Sequence, residues 1–126
     1  MRVLLDTVTF LWAIDTPERL SRAAKSTLAS QASVLEISVV SLSEMAIKCA
    51  RKKLALDKED LARGIADLRL HVLPYTAKHA YALFDLPLHH LDPFDRQIIA
   101  QALAEGIPVV TSDRAFSLYK GLNVLW

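Results

Sequence analysis

Residues 89–116 read HHLDPFDRQIIAQALAEGIPVVTSDRAF. Pro93 directly after Asp92 suits the first turn of a helix, and Gly106 suits the position just past its end. Between them the apolar residues recur at helical spacing. IPVVTS then reads as a short β-branched strand ending at an acid, Asp113. A helix leading straight into a buried strand is half of a βαβ unit, so this stretch argues for a parallel α/β sheet. It also raises a question: one aspartate is enough to start the helix, yet Asp92, Asp95 and Asp113 are all present.

The rest of the chain extends the same alternation. Strands are expected at 2–6, 36–42, 71–75, 107–113 and 123–126, and helices at 7–14, 22–32, 43–54, 57–70, 77–86 and 92–106, with a short one at 114–121. Asp57 and Thr76 suit N-caps. The fold class that follows is α/β, a sandwich around a central, mostly parallel sheet, in a single domain spanning residues 1–126. In such sheets ligands sit beyond the carboxyl ends of the strands. Asp6 follows RVLL, Glu44 follows SVVSLS, Asp113 follows PVVTS, and Asp92 and Asp95 open a helix, so all five acids are expected on one rim.

Bulk composition narrows the function classes. A chain of 126 residues with 52% hydrophobic content can close a core without disulfides or a structural metal. Its mean hydropathy of +0.25 leaves some apolar surface for a partner. Fifteen basic and 14 acidic side chains give a net charge of +1, so no global field draws in polyanions. The one cysteine, Cys49, suits a reducing cytoplasm. The first twelve residues, MRVLLDTVTFLW, carry Asp6 and do not resemble a secretory leader, and no apolar run is long enough for a membrane span.

Each acid alone has a structural explanation. Asp92 caps, Asp95 favours the positive helix end, Asp113 caps a short helix, and Glu44 with Lys48 forms an ordinary i,i+4 surface pair. Asp6 is the exception, because its burial is costly unless a cation is near. Together the explanations weaken: like charges 4 Å apart repel by up to about 4 kcal/mol per pair at an effective dielectric of 20. Hard oxygen donors without a His/Cys pattern suit Mg²⁺ or Mn²⁺. Such ions activate water for phosphodiester hydrolysis. The basic run Lys48, Arg51, Lys52, Lys53 is read equally as a solvated face or as a phosphate contact. His89 and His90 are adjacent, a poor ligand spacing, in the loop before the helix. No Gly-rich phosphate loop is present.

LLDT, SLSEMAIK, HHLDPFDRQIIAQA and PVVTSDRAF, in this order along nearly the whole chain, resemble PIN-domain ribonucleases, and more narrowly the VapC toxins of type II toxin–antitoxin systems. The resemblance implies an α/β/α sandwich and a Mg²⁺- or Mn²⁺-dependent endoribonuclease. It also implies a homodimer and a cognate antitoxin that lays a segment over an apolar groove and pushes a basic side chain toward the acids. By the same resemblance Asp6, Glu44, Asp95 and Asp113 form the metal site. Asp92 serves as cap or outer support, and Lys48, Arg96 and Thr111 lie nearby, with Arg51 and Lys52 as further RNA contacts. Two positions depart from the family pattern: Val8, where many relatives have histidine, and Leu91, where a basic residue is usual.

Three other functions compete. One is a PIN nuclease that processes RNA without being a toxin. Another is a catalytically weak PIN-like binding module. The third, a receiver-like signalling domain, needs paired acids after the first strand and an acceptor aspartate ending a middle strand. Residues 2–6 supply one acid and HVLPYT none.

Overall fold

The computed structural model describes residues 1–126. Five strands, β1 (Arg2–Leu5), β2 (Val34–Ser38), β3 (His71–Leu73), β4 (Val109–Val110) and β5 (Val124–Leu125), form one sheet in the order β3-β2-β1-β4-β5. Every pairing is parallel. Six helices accompany it: α1 (Thr7–Asp15), α2 (Arg22–Ala29), α3 (Val39–Ala50), α4 (Lys58–Asp67), α5 (Ala77–Phe84) and α6 (Pro93–Glu105). Short 3₁₀ turns lie at Pro17–Arg19 and Arg114–Leu118. No helix is long and apolar enough to cross a membrane.

The two-residue period of the strands builds the layers. Val3 and Leu5 of β1 join Phe10, Ala24, Ile37, Met45 and Val110 on one face, with Leu61 and Ile65 of α4 packed against them. Leu4 and Val109 point the other way, into Ile98, Ile99, Ala102, Phe116 and Tyr119. Helices α1, α2 and α4 therefore cover one face, and α5 and α6 the other. Ile98 and Ile99 are fully buried, each contributing about 1.5–3 kcal/mol.

Local chemistry sets the ends of α6 as expected. Asp92 Oδ1 accepts from the Phe94 and Asp95 amides, both at 2.9 Å, and Pro93 occupies the first turn. Gly106 ends the helix at φ 68°, ψ 33°, a left-handed conformation that glycine adopts without penalty.

The expected strand at 36–42 is corrected. The strand is Val34–Ser38, and Val39 already begins α3. Ser38 ends the strand because its Oγ turns back to accept from the Val40 amide, which caps the helix. Glu44 therefore lies about one and a half turns inside α3, not in its first turn as a helix beginning at residue 43 would have it.

Candidate active site at the carboxyl edge of the sheet

Leu5 pairs with Ile37 on one side and Val110 on the other, so the next residue of each strand, Asp6, Ser38 and Thr111, stands level at the carboxyl edge. The chain leaves β1 toward β2 and later returns on the opposite side as β4. That reversal opens a crevice beyond the β1 and β4 ends, the usual ligand position of such sheets.

Asp6 is 4% exposed and is the N-cap of α1. Its Oδ1 accepts from the Thr9 amide at 2.8 Å, and its Oδ2 from Thr111 Oγ1 at 2.6 Å. Hydrogen bonds to a charged group, worth about 1.5–3 kcal/mol each, offset part of the cost of its burial. Burial still dominates and raises the Asp6 pKa, with Asp113 adding to the rise and the Thr111 and Thr9 bonds opposing it.

Thr111 also accepts from the Asp113 amide at 3.0 Å, and Asp113 in turn caps the Arg114–Leu118 turn through Ala115 N. Glu44 is 3% exposed. Its Oε1 accepts from Thr7 Oγ1 at 2.6 Å, and its Oε2 meets Lys48 Nζ at 2.5 Å. The Glu44–Lys48 pair is therefore not a surface ion pair, since its acid is buried. Thr7, which also contacts Ser41 Oγ at 2.9 Å, had no signal in the sequence beyond its place after Asp6.

Asp95, in the first turn of α6, brings the arrangement together. Burial pushes its pKa up to about 7, helped by repulsion from Asp92, Asp6, Glu44 and Asp113 in that order. All the acids expected on one rim thus lie within electrostatic reach of this carboxylate. Lys48 senses the same group, its pKa raised by Glu44, Asp92 and Asp95 after a smaller opposing effect of burial. No hydrogen bond reaches the Asp95 carboxylate; His90 Nε2 lies 3.7 Å from its Oδ2.

Three basic residues make no direct contact with the acids. Arg96 donates to the carbonyls of Pro87 (2.8 Å) and Leu86 (3.2 Å) and to Tyr119 Oη (3.2 Å), so it pins the 86–90 loop and touches no acid directly. Arg51 and Lys52 follow the end of α3, exposed and about 10 Å along its axis from Glu44. They form no ion pair with the acids. Val8 and Leu91 are both exposed.

No three His, Cys, Asp or Glu side chains close on one point as a finished ligand set. The donors fit a hard cation that keeps part of its water shell, as Mg²⁺ does: they are carboxylates and hydroxyls, and the Asp95 carboxylate has no hydrogen bond to satisfy it.

The chain matches solved structures of the VapBC2 complex from Rickettsia felis bound to a promoter DNA fragment (TM-score 0.76, 19% identity, 98% of this chain and 97% of that one) and of DNA-bound VapBC from Salmonella typhimurium (TM-score 0.72, 23% identity, 98% and 96%). VapBC-5 from Mycobacterium tuberculosis, a member of a toxin–antitoxin family, matches at TM-score 0.62 and 19% identity over 98% and 96%. At these identities the likeness is one of fold. No curated protein sequence matches the chain. The PIN domain model matches residues 3–122, nearly the full length, and the chain belongs to the PIN domain family.

Proposed function

We propose that residues 1–126 form one domain that acts as a Mg²⁺- or Mn²⁺-dependent endoribonuclease, the toxin of a type II toxin–antitoxin pair working in the cytoplasm. The observation that carries this reading is Asp95, a carboxylate whose pKa is raised to about 7 in the company of four other acids at the sheet's carboxyl edge. A fold that keeps such mutual repulsion without use for it is at a disadvantage.

Asp6, Glu44, Asp95 and Asp113 would hold the cation, which when bound supplies an activated water and stabilises the leaving oxygen of a phosphodiester. The remaining work falls to the chain. Thr111 orients Asp6 and, through the Asp113 amide, holds the two strand-end acids in register. Thr7 orients Glu44. Lys48, half-exposed beside Glu44, would supply the phosphate contact.

Partners follow from the surface. A groove of about 520 Å³ lies apart from the acid site, between α1 and α4, lined by Leu11, Ile14, Leu54, Leu56 and Leu68 together with Asp15, Asp60 and Asp67. Helix α1 begins at Asp6 and carries Leu11 and Ile14 further along. An antitoxin segment with apolar anchors and a basic side chain, laid along α1, would connect this groove to the acid site. The VapBC complexes of like fold make an antitoxin the partner this reading names. Tyr81, Phe84, Leu88 and Leu91 are largely exposed and suit the contact of a homodimer.

The test is cleavage of transfer, ribosomal and messenger RNA by the chain stripped of any copurifying partner, with Mg²⁺, Mn²⁺ or EDTA, beside Asp95→Asn. Cleavage that needs both metal and aspartate supports the reading. Cleavage equal in the variant assigns the activity to a contaminant. No cleavage of any RNA favours the binding module. A nuclease that is not a toxin would cut RNA in the same assay yet leave growth unaffected when expressed alone.

A further inference from the structure

Three buried side-chain atoms lack a hydrogen-bond partner: Tyr75 Oη, Gln101 Oε1 and His90 Nε2. Only the last faces an acid. A buried polar atom left unpaired calls for an explanation, and here the surrounding bonds fix what the atom carries.

Tyr119 Oη lies 2.7 Å from His90 Nδ1 and 3.2 Å from Arg96 Nη1. A guanidinium only donates, so the tyrosine oxygen accepts from Arg96 and has its own hydrogen to give to His90 Nδ1. With Nδ1 accepting, the proton of the neutral ring sits on Nε2. Arg96 is itself held by the Leu86 and Pro87 carbonyls. The His90 ring packs against Tyr119 and Phe116, at centroid distances of 5.6 and 6.1 Å. In this arrangement the packed ring directs an Nε2 proton toward Asp95 Oδ2, 3.7 Å away. That gap is too long for a hydrogen bond and too short to admit a bridging water. Hydrogen bonds around catalytic groups are often long in the unloaded state and tighten on loading.

We propose that His90 is a positioning residue for Asp95: held by Arg96 and Tyr119 with its proton on Nε2, it donates to Asp95 Oδ2 and sets the orientation in which that carboxylate meets a divalent cation. This rests on the reading of Asp95 as a metal ligand. It gives His90 and Arg96 of HHLDPFDR a joint role, with Arg96 acting at two removes from the acid.

The competing role for His90 is packing alone, and substitutions separate the two. His90→Gln keeps an N–H donor near the Nε2 position, whereas His90→Leu keeps apolar bulk without a donor. Mn²⁺ affinity of the metal-free protein, read by calorimetry, is expected to fall about tenfold or more in His90→Leu and to recover largely in His90→Gln. In ¹⁵N-ring NMR spectra of the metal-free wild type at pH 8, His90 is expected as the Nε2–H tautomer, and Tyr119→Phe should mix the tautomers and weaken Mn²⁺. If His90→Leu does not fold, Tyr119→Phe, which removes one oxygen, carries the test.

Wild-type Mn²⁺ affinity in His90→Leu, or in Tyr119→Phe where His90→Leu does not fold, would overturn the proposal, and so would an Nδ1–H tautomer in the wild type. A wild type that binds Mn²⁺ with the expected variant pattern yet cuts no RNA would sink the nuclease reading and leave the positioning role standing. A wild type that binds no Mn²⁺ would sink both.

Discussion

Thr111 Oγ1 donates to Asp6 Oδ2 at 2.6 Å, joining the end of β4 to the end of β1 across 105 positions of sequence. The same oxygen accepts from the Asp113 amide. One hydroxyl thus orients one presumed ligand and the turn that carries another. Thr111→Val keeps shape and removes both bonds. RNA cleavage is expected to fall about 10- to 100-fold, and the urea midpoint to drop by the equivalent of about 1–2 kcal/mol. Thr111→Ser should recover most of both. A Val variant with unchanged cleavage would show that Asp6 needs no such orientation.

Asp95 makes the metal-free protein less stable as pH rises. Its folded pKa of about 7 exceeds the unfolded value near 3.9, so the neutral carboxyl is the form the fold prefers. The stability tied to this preference is present below about pH 4 and is lost as pH rises through about 7. In EDTA, Asp95→Asn should therefore stabilise the protein at pH 8, by about 2 kcal/mol after allowance for solvent screening, and leave it nearly unchanged at pH 4. Mg²⁺ should raise the wild-type melting temperature at pH 8 and raise the variant's far less. Equal stability of the two proteins at pH 8 without metal would contradict the crowding of charge at this site.

Asp92 and Asp95 share a helix turn but do different work. Asp92 accepts from two amides and caps α6, so Asp92→Ala should cost about 0.5–2 kcal/mol. Asp92→Asn keeps the cap and removes a charge beside Asp95, so it should retain stability and lower the Asp95 pKa. Both should keep more RNA cleavage than Asp95→Asn, which is expected to lose it. Chemical denaturation paired with cleavage rates decides between these roles.

What the sequence reveals and what it hides divides along chain separation. The α6 cap, its proline and Gly106 are local chemistry, and they are legible because each signal lies within a turn of the feature it makes. The parallel sheet is legible from the alternation of short apolar runs with helical ones. The β2–α3 boundary is not, since the β-branched Ile37, Val39 and Val40 of EISVVSL run across it, and only the Ser38 hydroxyl bonding Val40 marks the turn. The contacts that orient the acids are hidden for another reason. Thr7 meets Glu44 across 37 positions and His90 meets Tyr119 across 29, and neither pair leaves a spacing to read. Asp6 carries both kinds of contact: its cap on the Thr9 amide is local, whereas its bond from Thr111 crosses 105 positions.

Glu105 provides a control at the opposite end of α6, about 15 Å along the helix from Asp95. His79 is buried, and its Nδ1 accepts from the Thr76 amide, so its Nε2–H donates to Glu105 Oε2 at 2.8 Å. Arg2 Nη2 donates to the other oxygen at 3.2 Å. The His79 bond, with Arg2 and Lys78, holds the Glu105 pKa below its usual value against a smaller effect of burial. The stability from this depressed pKa is present above the unfolded carboxylate value near 4.3 and is lost as pH falls through the folded one. Glu105→Gln retains an acceptor for His79 and should cost about 1 kcal/mol or less, whereas Glu105→Ala strands a buried donor and should cost about 1–3 kcal/mol. The difference between the wild type and Glu105→Gln should shrink in melts at pH 3. Metal-dependent cleavage per folded molecule should match wild type in both variants, because the network ties α5, α6 and β1 together without touching the acid rim. A loss of cleavage at temperatures where Glu105→Ala is fully folded would mean that the two ends of α6 are coupled.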